Sequence, residues 1–400
     1  MTPSWQGYLR EDGRKGIRNV VAVAYLVECA HFVADEICRS FPDDDVHLIG
    51  FPGCFPNDYA QKMMERLCTH PNVGAVLLVS LGCESFNRSM LHEVAKDSGR
   101  PVETLVIQKS GGTARTIAKG CAFVRSALNE IALVPRVKMK VEDLVVATIC
   151  GGSDGTSGIS GNPAAGGAFD RLVEGGATCI FEETGELIGC EHIMAERAET
   201  PELAEELKKC VEKAARYYNV LGYGSFAAGN ATGGLSTIEE KSLGAYVKSG
   251  AANIRGIIKP GDIPPSGGLY LMDVVPDGEV RFGFPNISDN AEIVEMIASG
   301  AHMTLFVTGR GSVVGSAISP VIKICANPET FKALADDMDI NAGAIIEGKR
   351  TLEDVASEVF TRICETAKGK PTVSEAQRRR EFILTYKSFE PIGPSCLPAA

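Results

Sequence analysis

The chain has 400 residues, which is too many for one simple hydrophobic core and favours two domains or three. Its 44% hydrophobic and 23% charged residues are typical of a soluble globular protein, and its formal net charge of −11 argues against nucleic acid or an anionic membrane as partner. No apolar run approaches the roughly 20 residues that span a bilayer, and the N-terminus lacks the apolar core of a signal peptide, so we expect a cytoplasmic protein.

Short apolar runs alternate with helical patterns over the first third of the chain. Because the runs are continuously apolar, they predict parallel strands whose sheet is covered by helices on both faces. The predicted strands are 19–27, 45–51, 73–83 and 102–108. We therefore predict an N-terminal α/β, Rossmann-like domain over residues 1–136.

The segment 134–143 is polar and is predicted to be the connection between two domains. The alternation of strands and helices then begins again. Predicted strands lie at 144–150, 177–183, 269–275 and 302–309, and predicted helices at 162–176, from Pro201 to about Asn219, and at 351–369. The second domain is predicted to be a C-terminal α/β catalytic domain over residues 137–400. The expected fold class is thus α/β, with two domains whose mainly parallel sheets are flanked by helices.

Three of the 13 cysteines follow predicted strands and have a glycine beside them: Cys54, Cys83 and Cys150. Ligands bind outside the carboxyl ends of parallel strands, so these thiols are placed where a site is expected. Three thiolates could hold iron or an iron–sulfur cluster with one position open to substrate. The alternative is that they are buried thiols at strand ends. The chain has no CxxC pair, so the spacing of the cysteines is weak evidence for a metal site. The odd number of cysteines makes a disulfide framework a poor interpretation.

A glycine-rich loop, "CGGSDGTSGISGNP", begins at Cys150 and carries Asp154 and Asn162. The loop is either a linker or a backbone that must lie very close to a bound ion or substrate. Asn162 and Pro163 suit the start of a helix, with Asn162 as the capping residue. The N-terminus of that helix could also bind a carboxylate.

Two further stretches combine glycine with charge. In "STIEEK" Lys241 follows two glutamates, a pattern typical of a helix start and usually of solvated surface. In "TGRG" Arg310 lies between glycines at the end of a predicted strand, where a guanidinium can bind a carboxylate with two hydrogen bonds. The phosphate-loop and dinucleotide-binding fingerprints are both absent.

Taken together, these segments resemble the altronate/galactarate dehydratase family over nearly the whole chain. The resemblance is carried by "DGRKGIRN", the "GC" at 53–54, "LGCE", "LVIQ…GGT", "CGGSDGTSGISGNPA", "GG…TIEEKSLG" and "TGRG…P-IK". It implies lyases that remove water from sugar acids, usually with ferrous iron. A sister group that resembles the large subunit of sulfolactate sulfo-lyase expels sulfite instead. The segments "PVIKICANPETF" and "REFILTYKSF" are closer to that branch.

The sequence departs from the sugar-acid enzymes in two ways. Those enzymes usually carry a histidine three residues before the "GC" cysteine, where this chain has Phe51. They also have a small N-terminal domain, whereas this chain opens directly on "GYLREDGRKGIRN". The resemblance therefore implies a separately encoded small subunit, and we also expect a homo-oligomer.

The reaction implied by the resemblance is β-elimination from a sugar acid or related 2-hydroxy acid to give a 2-keto acid, with iron as cofactor. Its alternative is release of sulfite from sulfolactate. The expected iron ligands are Cys54, Cys83 and Cys150. The expected catalytic residues are Lys241 or Glu240 as base and Arg310 on the carboxylate, and the expected substrate-binding residues are Asp154, Asn162, Asn230 and Lys323.

A hypothesis of another class is a non-catalytic binding or scaffold subunit that has kept the fold, since fold alone does not determine function. The polar side chains of "CGGSD", "TIEEK" and "TGRG" argue against it, because a scaffold has no use for them.

Overall fold

The computed structural model describes residues 3–221, 226–277, 288–384 and 386–387. Its strands are β1 Ser4–Leu9, β2 Lys15–Gly16, β3 Val20–Tyr25, β4 Val46–Gly50, β5 Val73–Ser80, β6 Val102–Val106, β7 Arg136–Lys140, β8 Val145–Cys150, β9 Thr178–Phe181, β10 Ile254–Ile258, β11 Gly268–Met272, β12 Met303–Thr308, β13 Val321–Cys325 and β14 Ile340–Asn341.

Its helices are α1 Glu28–Arg39, α2 Asp58–Cys68, α3 Arg88–Asp97, α4 Ile107–Ser110, α5 Thr113–Ile131, α6 Asn162–Glu174, α7 Glu191–Glu196, α8 Pro201–Leu221, α9 Ala228–Thr232, α10 Ile238–Tyr246, α11 Asp289–Ala298, α12 Pro328–Ala333, α13 Leu352–Ala367 and α14 Val373–Ala376. Within the described ranges, none of these helices combines the length and the apolar character needed to span a membrane.

The first sheet has four parallel strands in the order β4-β3-β5-β6. Its central strands, β3 and β5, are buried on both faces, as their continuous apolar runs require, whereas the edge strand β6 is partly exposed. Helices α1 and α5 cover one face, with Ile37 and Val124 in the same cluster as the strand residues. Helices α2 and α3 cover the other face, where Met63 and Leu91 join the core.

The second sheet has seven strands, all parallel, in the order β10-β11-β9-β8-β12-β13-β14. Helices α6 and α13 cover one face, with Phe169 and Val359 in its core. On the other face, Phe306 and Met296 belong to the same core as Met63 of the first sheet's α2. The two sheets therefore share one hydrophobic layer. The predicted α/β class, with mainly parallel sheets flanked by helices, is confirmed.

Part of the polar segment 134–143, predicted as a connection, is a strand. Residues 136–140 form β7, which pairs antiparallel with β1 in a small third sheet of order β2-β1-β7. Met139 alone is buried in β7, so the strand lacks the apolar run that predicted eight of the others. The strands β1, β2, β10, β13 and β14 were not predicted either. The predicted boundary at 136/137 falls at the start of β7, and the division into two domains stays a prediction.

Asn72 connects the two large sheets at the ends where their strands begin. Its buried side-chain oxygen accepts hydrogen bonds from the backbone amides of Ile17 and Arg18, at 3.0 and 3.3 Å. Its amide donates to the carbonyls of His302 and Ile318, at 3.2 and 3.3 Å. One side chain therefore joins the residues before β5, β12 and β13.

We predict that Asn72→Ala lowers the free energy of unfolding by about 2–3 kcal/mol, because the substitution leaves several buried donors and acceptors without partners. Denaturant titration measures this change. The control is Asn87→Ala, which removes only the exposed cap of α3 and is expected to cost about 1 kcal/mol. An equal loss in both variants would contradict the role given to Asn72.

Candidate active site

Cys150 is the last residue of β8 and its thiol is buried. The Sγ atom lies 3.2 Å from Oε2 of Glu183 and 3.4 Å from Oε2 of Glu186. The backbone amide of Cys150 also donates to Glu183 Oε2, at 3.0 Å. One ligand atom from each of the three residues lies within 4.8 Å of the other two, which is close enough for a single metal ion.

Glu183 adopts a left-handed backbone conformation, with φ of 82°, just after β9. A residue other than glycine in this region costs on the order of 1–3 kcal/mol and persists only where its surroundings hold it. Here the side chain is buried and is held by the Cys150 amide and by an ion pair with Lys248. The strained backbone therefore serves to direct this carboxylate at the thiol.

Two buried lysines balance the charge of the two carboxylates. Lys248 lies in the helical turn Val247–Ser249, forms the ion pair with Glu183, and places Nζ 3.4 Å from Cys150 Sγ. Lys241 of α10 forms an ion pair with Glu186. Burial lowers the pKa of Lys241 below its usual range.

The glycine-rich loop leads from Cys150 into α6 and forms one wall of a cleft of about 210 Å³. The loop ends in a π-helical turn, Ser157–Gly161, so Asn162 is already helical and does not cap α6 as predicted. Its amide instead donates to the carbonyl of Gly244, at 2.8 Å. Asn162, Asp154 and Lys241 all line the cleft. The interpretation of the loop as a linker is therefore wrong, because it packs against α10.

Asp154 organises its own loop. Its carboxylate accepts hydrogen bonds from the amide of Thr156, at 2.8 Å, and from the side chain of Asn327, at 2.9 Å. The structure thus brings Asp154 to the cleft with both oxygens already bonded to protein groups. Its role toward substrate stays a prediction.

Glu240 lines the cleft but is engaged at the start of α10. Thr237 caps that helix through the Glu240 amide, and the Glu240 carboxylate accepts from both the amide and the hydroxyl of Ser236. These hydrogen bonds lower the pKa of Glu240. The predicted helix start at "STIEEK" is confirmed, and of the two candidate bases only Lys241 contacts the Cys150 cluster.

No hydrogen bond among the described residues links the remaining predicted residues to the Cys150 cluster. Arg310 is exposed after β12 and donates to the carbonyl of Gly229 on α9, at 2.7 Å. Asn230 accepts from the amide of Ala227 and so caps the same helix. Lys323 of β13 is buried, and its charged neighbours are Arg379 and acidic groups away from Cys150. Among the described residues its amine has no hydrogen-bond partner.

Cys54 and Cys83 lie in adjacent loops after β4 and β5, where the amide of Ser85 donates to the carbonyl of Cys54 at 2.9 Å. Both thiols are exposed. Neither belongs to the group of ligand atoms around Cys150 within the described residues. The structure therefore brings Cys150 together with two carboxylates, and the three-cysteine ligand set stays a prediction.

Three residues of the cluster were not predicted from the sequence: Glu183, Glu186 and Lys248. The first two lie in "FEETGE", directly after a predicted strand, and this position is the signal that could have found them. Lys248 lies in "YVKSG", which has no feature to distinguish it from an exposed lysine.

Two family models match the chain. The model described as D-galactarate/altronate dehydratase, C-terminal, matches residues 141–389, and the model described as D-galactarate dehydratase/altronate hydrolase, second domain, matches residues 7–132. The first match contains the whole Cys150 cluster, and the second contains Cys54 and Cys83.

Curated relatives match over almost the whole chain. (2R)-sulfolactate sulfo-lyase subunit beta of Chromohalobacter salexigens is 31% identical, with 95% of this chain and 96% of that protein covered. Altronate dehydratase of Bacillus subtilis is 27% identical, covering 96% of this chain and 78% of the relative. Galactarate dehydratase (L-threo-forming) of Escherichia coli is 30% identical, covering 92% and 73%.

With these relatives, the chain is an enzyme of the lyase class. The chain belongs to the D-galactarate/altronate dehydratase family, and the resemblance predicted from its motifs is confirmed.

Close packing of two glycines sets the width of the cleft. A Cβ atom added to Gly158 would lie 2.6 Å from the Cα of Gly244 on α10, so the loop and the helix touch through their backbones. We predict that Gly158→Ala displaces α10, with a loss of about 1–3 kcal/mol in the free energy of unfolding and reduced activity. Thermal unfolding and initial rates measure the two effects.

The matched control is Gly155→Ala in the same loop. The nearest atom to a Cβ at that position is a carbonyl oxygen 3.9 Å away, so no displacement is expected. Equal behaviour of the two variants would show that the contact between Gly158 and Gly244 does not position α10.

Three further carboxyl groups interact electrostatically with Lys241: those of Glu182 and Glu292, which are buried, and that of Asp289, which is half-buried. Burial and the neighbouring Glu292 raise the pKa of Glu182 well above its usual range. Burial raises the pKa of Glu292 to about 7, and its carboxyl group lies against that of Glu182. Burial also raises the pKa of Asp289, the first residue of α11. Glu292 therefore loses its proton at a higher pH in the folded chain than in the unfolded chain.

We predict that Glu292 contributes a fall in stability as pH rises from about 4.5 to 7, of at most about 1.4 kcal/mol per pH unit, because its carboxyl group binds a proton more tightly in the folded state. Glu292→Gln should remove this contribution and make the slope of stability against pH less negative, or more positive, than in the wild type, as measured by denaturant titration at several pH values. Glu206→Gln, at an exposed position of α8, is the control. An unchanged slope in Glu292→Gln would count against the raised pKa.

Proposed function

We propose that the chain catalyses β-elimination from a 2-hydroxy acid. The observation that carries the proposal is the buried cluster of Cys150, Glu183 and Glu186 at the carboxyl end of β8, with two lysine ammonium groups against it. A base removes the proton next to the substrate carboxylate, a group leaves from C3 with the bonding electrons, and the resulting enol becomes a 2-keto acid. The named relatives of the chain are dehydratases and a sulfo-lyase.

The donor set fits ferrous iron. One thiolate and two carboxylates form a mixed set of soft and hard ligands that suits a first-row transition metal ion. We propose that Cys150, Glu183 and Glu186 hold the ion, and that Cys54 and Cys83 approach from the first sheet as further ligands. When bound, the ion would supply positive charge for the oxygen atoms of the enolate.

Lysine is the residue that this arrangement favours as base. Lys241 lines the cleft, its burial lowers its pKa, and it lies against Glu186. A lysine with a lowered pKa is better matched to proton abstraction near neutral pH than an exposed carboxylate. Arg310, at the rim, is proposed to bind the substrate carboxylate. Asn162 and Asp154 are proposed to orient its hydroxyl groups.

Two leaving groups are supported by different observations. Two dehydratases among the relatives favour water. The sulfo-lyase subunit matches the chain almost end to end and favours sulfite. Phe51 adds to the second case, because it is fully buried between Phe86 and Tyr386 and cannot replace a polar residue of a sugar-acid site. In the second case the C3–S bond breaks and sulfite leaves with its electrons.

The decisive experiment is an anaerobic screen of sugar acids, sulfolactate and other 2-hydroxy acids, with keto acid and sulfite measured in the same wells. Keto acid with an equal amount of sulfite identifies a sulfo-lyase, and keto acid alone identifies a dehydratase. No keto acid from any substrate, in iron-loaded protein supplied with candidate small subunits, would favour the scaffold hypothesis.

We also propose that the chain works with a small partner subunit, forms a homo-oligomer and resides in the cytoplasm. The partner is supported by the relative whose name includes "subunit beta". Because an enolate must be shielded from water, a second chain over the cleft would complete the site.

We predict that Cys150→Ser, Glu183→Gln and Glu186→Gln each lower the affinity for iron by at least about tenfold and abolish turnover. Anaerobic titration with ferrous iron, followed by metal analysis, measures the affinity. Cys121→Ser, in α5, is the control and should keep both iron and activity. Cys54→Ser and Cys83→Ser decide whether the first sheet supplies ligands. Full iron binding in all three cluster variants would overturn the assignment.

A further inference from the structure

The loop that carries Cys54 is held in place by the C-terminal part of the chain. We call residues 51–57 the Cys54 loop, and Leu384, Tyr386 and Lys387 the C-terminal strap. The hydroxyl of Tyr386 donates to the carbonyl of Phe55, at 2.7 Å, and the side chain of Asn57 donates to the carbonyl of Lys387, at 2.6 Å. The strap is thus hydrogen-bonded to the loop at two residues that follow Cys54.

Aromatic packing strengthens this attachment. The Tyr386 ring stands edge-on to Phe51, with centroids 5.1 Å apart. A Cβ atom at Gly53 would lie 2.1 Å from the Tyr386 hydroxyl, so only glycine allows this approach next to Cys54. The contacts of Tyr386 with Gly53 and with the ring of Phe51 therefore fix the position of the loop backbone.

Lys387 fastens the strap to α11. Its side chain is fully buried, with Nζ 2.7 Å from Oε1 and 2.9 Å from Oε2 of Glu295. The hydroxyl of Tyr59, on α2, donates to the same carboxylate at 2.5 Å. Breaking a buried pair by removing one partner is costly, because it leaves a charge without compensation. Separating the strap from α11 would therefore cost free energy, because it would break the buried ion pair between Lys387 and Glu295.

Helix α11 in turn reaches the cluster around Cys150. Its first residue is Asp289, and a Cβ atom added to Gly151 would lie 2.0 Å from Oδ2 of Asp289. A continuous set of contacts thus runs from the Cys54 loop through Tyr386, Lys387 and α11 to the residue after Cys150. This set joins the loops of two separate sheets at one edge of the molecule.

We propose that Tyr386 and Lys387 are positioning residues of the active site, which hold the Cys54 loop at a set position relative to the Cys150 cluster. The proposal rests on the proposed function for its catalytic consequence, but the attachment itself can be measured without activity. Neither residue touches the cluster, so each acts through the loop and through α11.

Tyr386→Phe tests the attachment with the smallest change, since it removes one hydroxyl and keeps the ring against Phe51. Loss of one hydrogen bond should raise hydrogen exchange by about five- to tenfold at the two protected amides of the loop region, that of Phe51, which donates to Tyr25, and that of Ser85, which donates to Cys54. The Cys54 thiol should also be alkylated faster, as read by peptide mass spectrometry. Cys29, exposed on α1, serves as the internal reference. Tyr8→Phe, which removes an exposed hydroxyl far from the loop, is the control variant.

Lys387→Met combined with Glu295→Gln tests the ion pair without leaving a buried charge. The variant should fold, because a neutral pair avoids the unpaired carboxylate. We expect faster exchange in the Cys54 loop and a lower kcat with little change in KM. Lys370→Met, which removes an exposed pair with Glu365, is the control and should behave as wild type.

Unchanged exchange and alkylation in both test variants would overturn the proposal, as would an equal rise throughout the chain, which would indicate general destabilisation. If the wild type turns over no 2-hydroxy acid, the proposed function fails. The exchange and alkylation measurements would still decide whether the strap holds the loop.

Discussion

A buried ion pair between Lys248 and Glu183 holds the end of β8 and the turn after β9 in one arrangement. The carboxylate also accepts from the Cys150 amide, and the ammonium lies 3.4 Å from the thiol. Because both charges are withdrawn from water, neither can move without leaving the other unpaired, which costs several kcal/mol. The ion pair and the hydrogen bond from the Cys150 amide hold Glu183 in its left-handed backbone conformation. Its carboxylate therefore stays next to the end of β8.

The described cluster and cleft belong to one of the two large sheets. The seven-stranded sheet supplies the cluster, the glycine-rich loop and α10, whereas the loops of Cys54 and Cys83 follow strands of the four-stranded sheet. The two sheets are joined at the start of their strands by Asn72 and across their shared face by a core that contains both Met63 and Phe306. These two joints fix the four-stranded sheet, and with it the cysteine loops, relative to the sheet that carries the cluster.

The fold was largely predictable because buried parallel strands are continuous apolar runs, and Cys150 was found because it ends such a run. The strand β7 was missed because it has one buried residue, and the capping role of Asn162 was mispredicted because a π-helical turn precedes it, although α6 begins at Asn162 as predicted. The carboxylates of Glu183 and Glu186 follow β9, but their meeting with Cys150 depends on strand order, which periodicity does not contain. Lys248 could not be found at all, since burial of a lysine in a short turn is decided by tertiary packing.

The cluster works against the stability of the chain. A strained non-glycine residue, two buried lysines and several buried carboxyl groups all oppose folding, whereas apolar side chains of the same volume would favour it. Their cost is offset by the apolar cores on both faces of the seven-stranded sheet. Conflicts between local preference and global fold are expected where function requires them and are rare elsewhere. At β8 they coincide with the cleft, whereas the four-stranded sheet follows the ordinary rules of a parallel α/β fold. The strained backbone of Glu183 and the paired buried charges at the end of β8 therefore indicate the same candidate site as the motifs do.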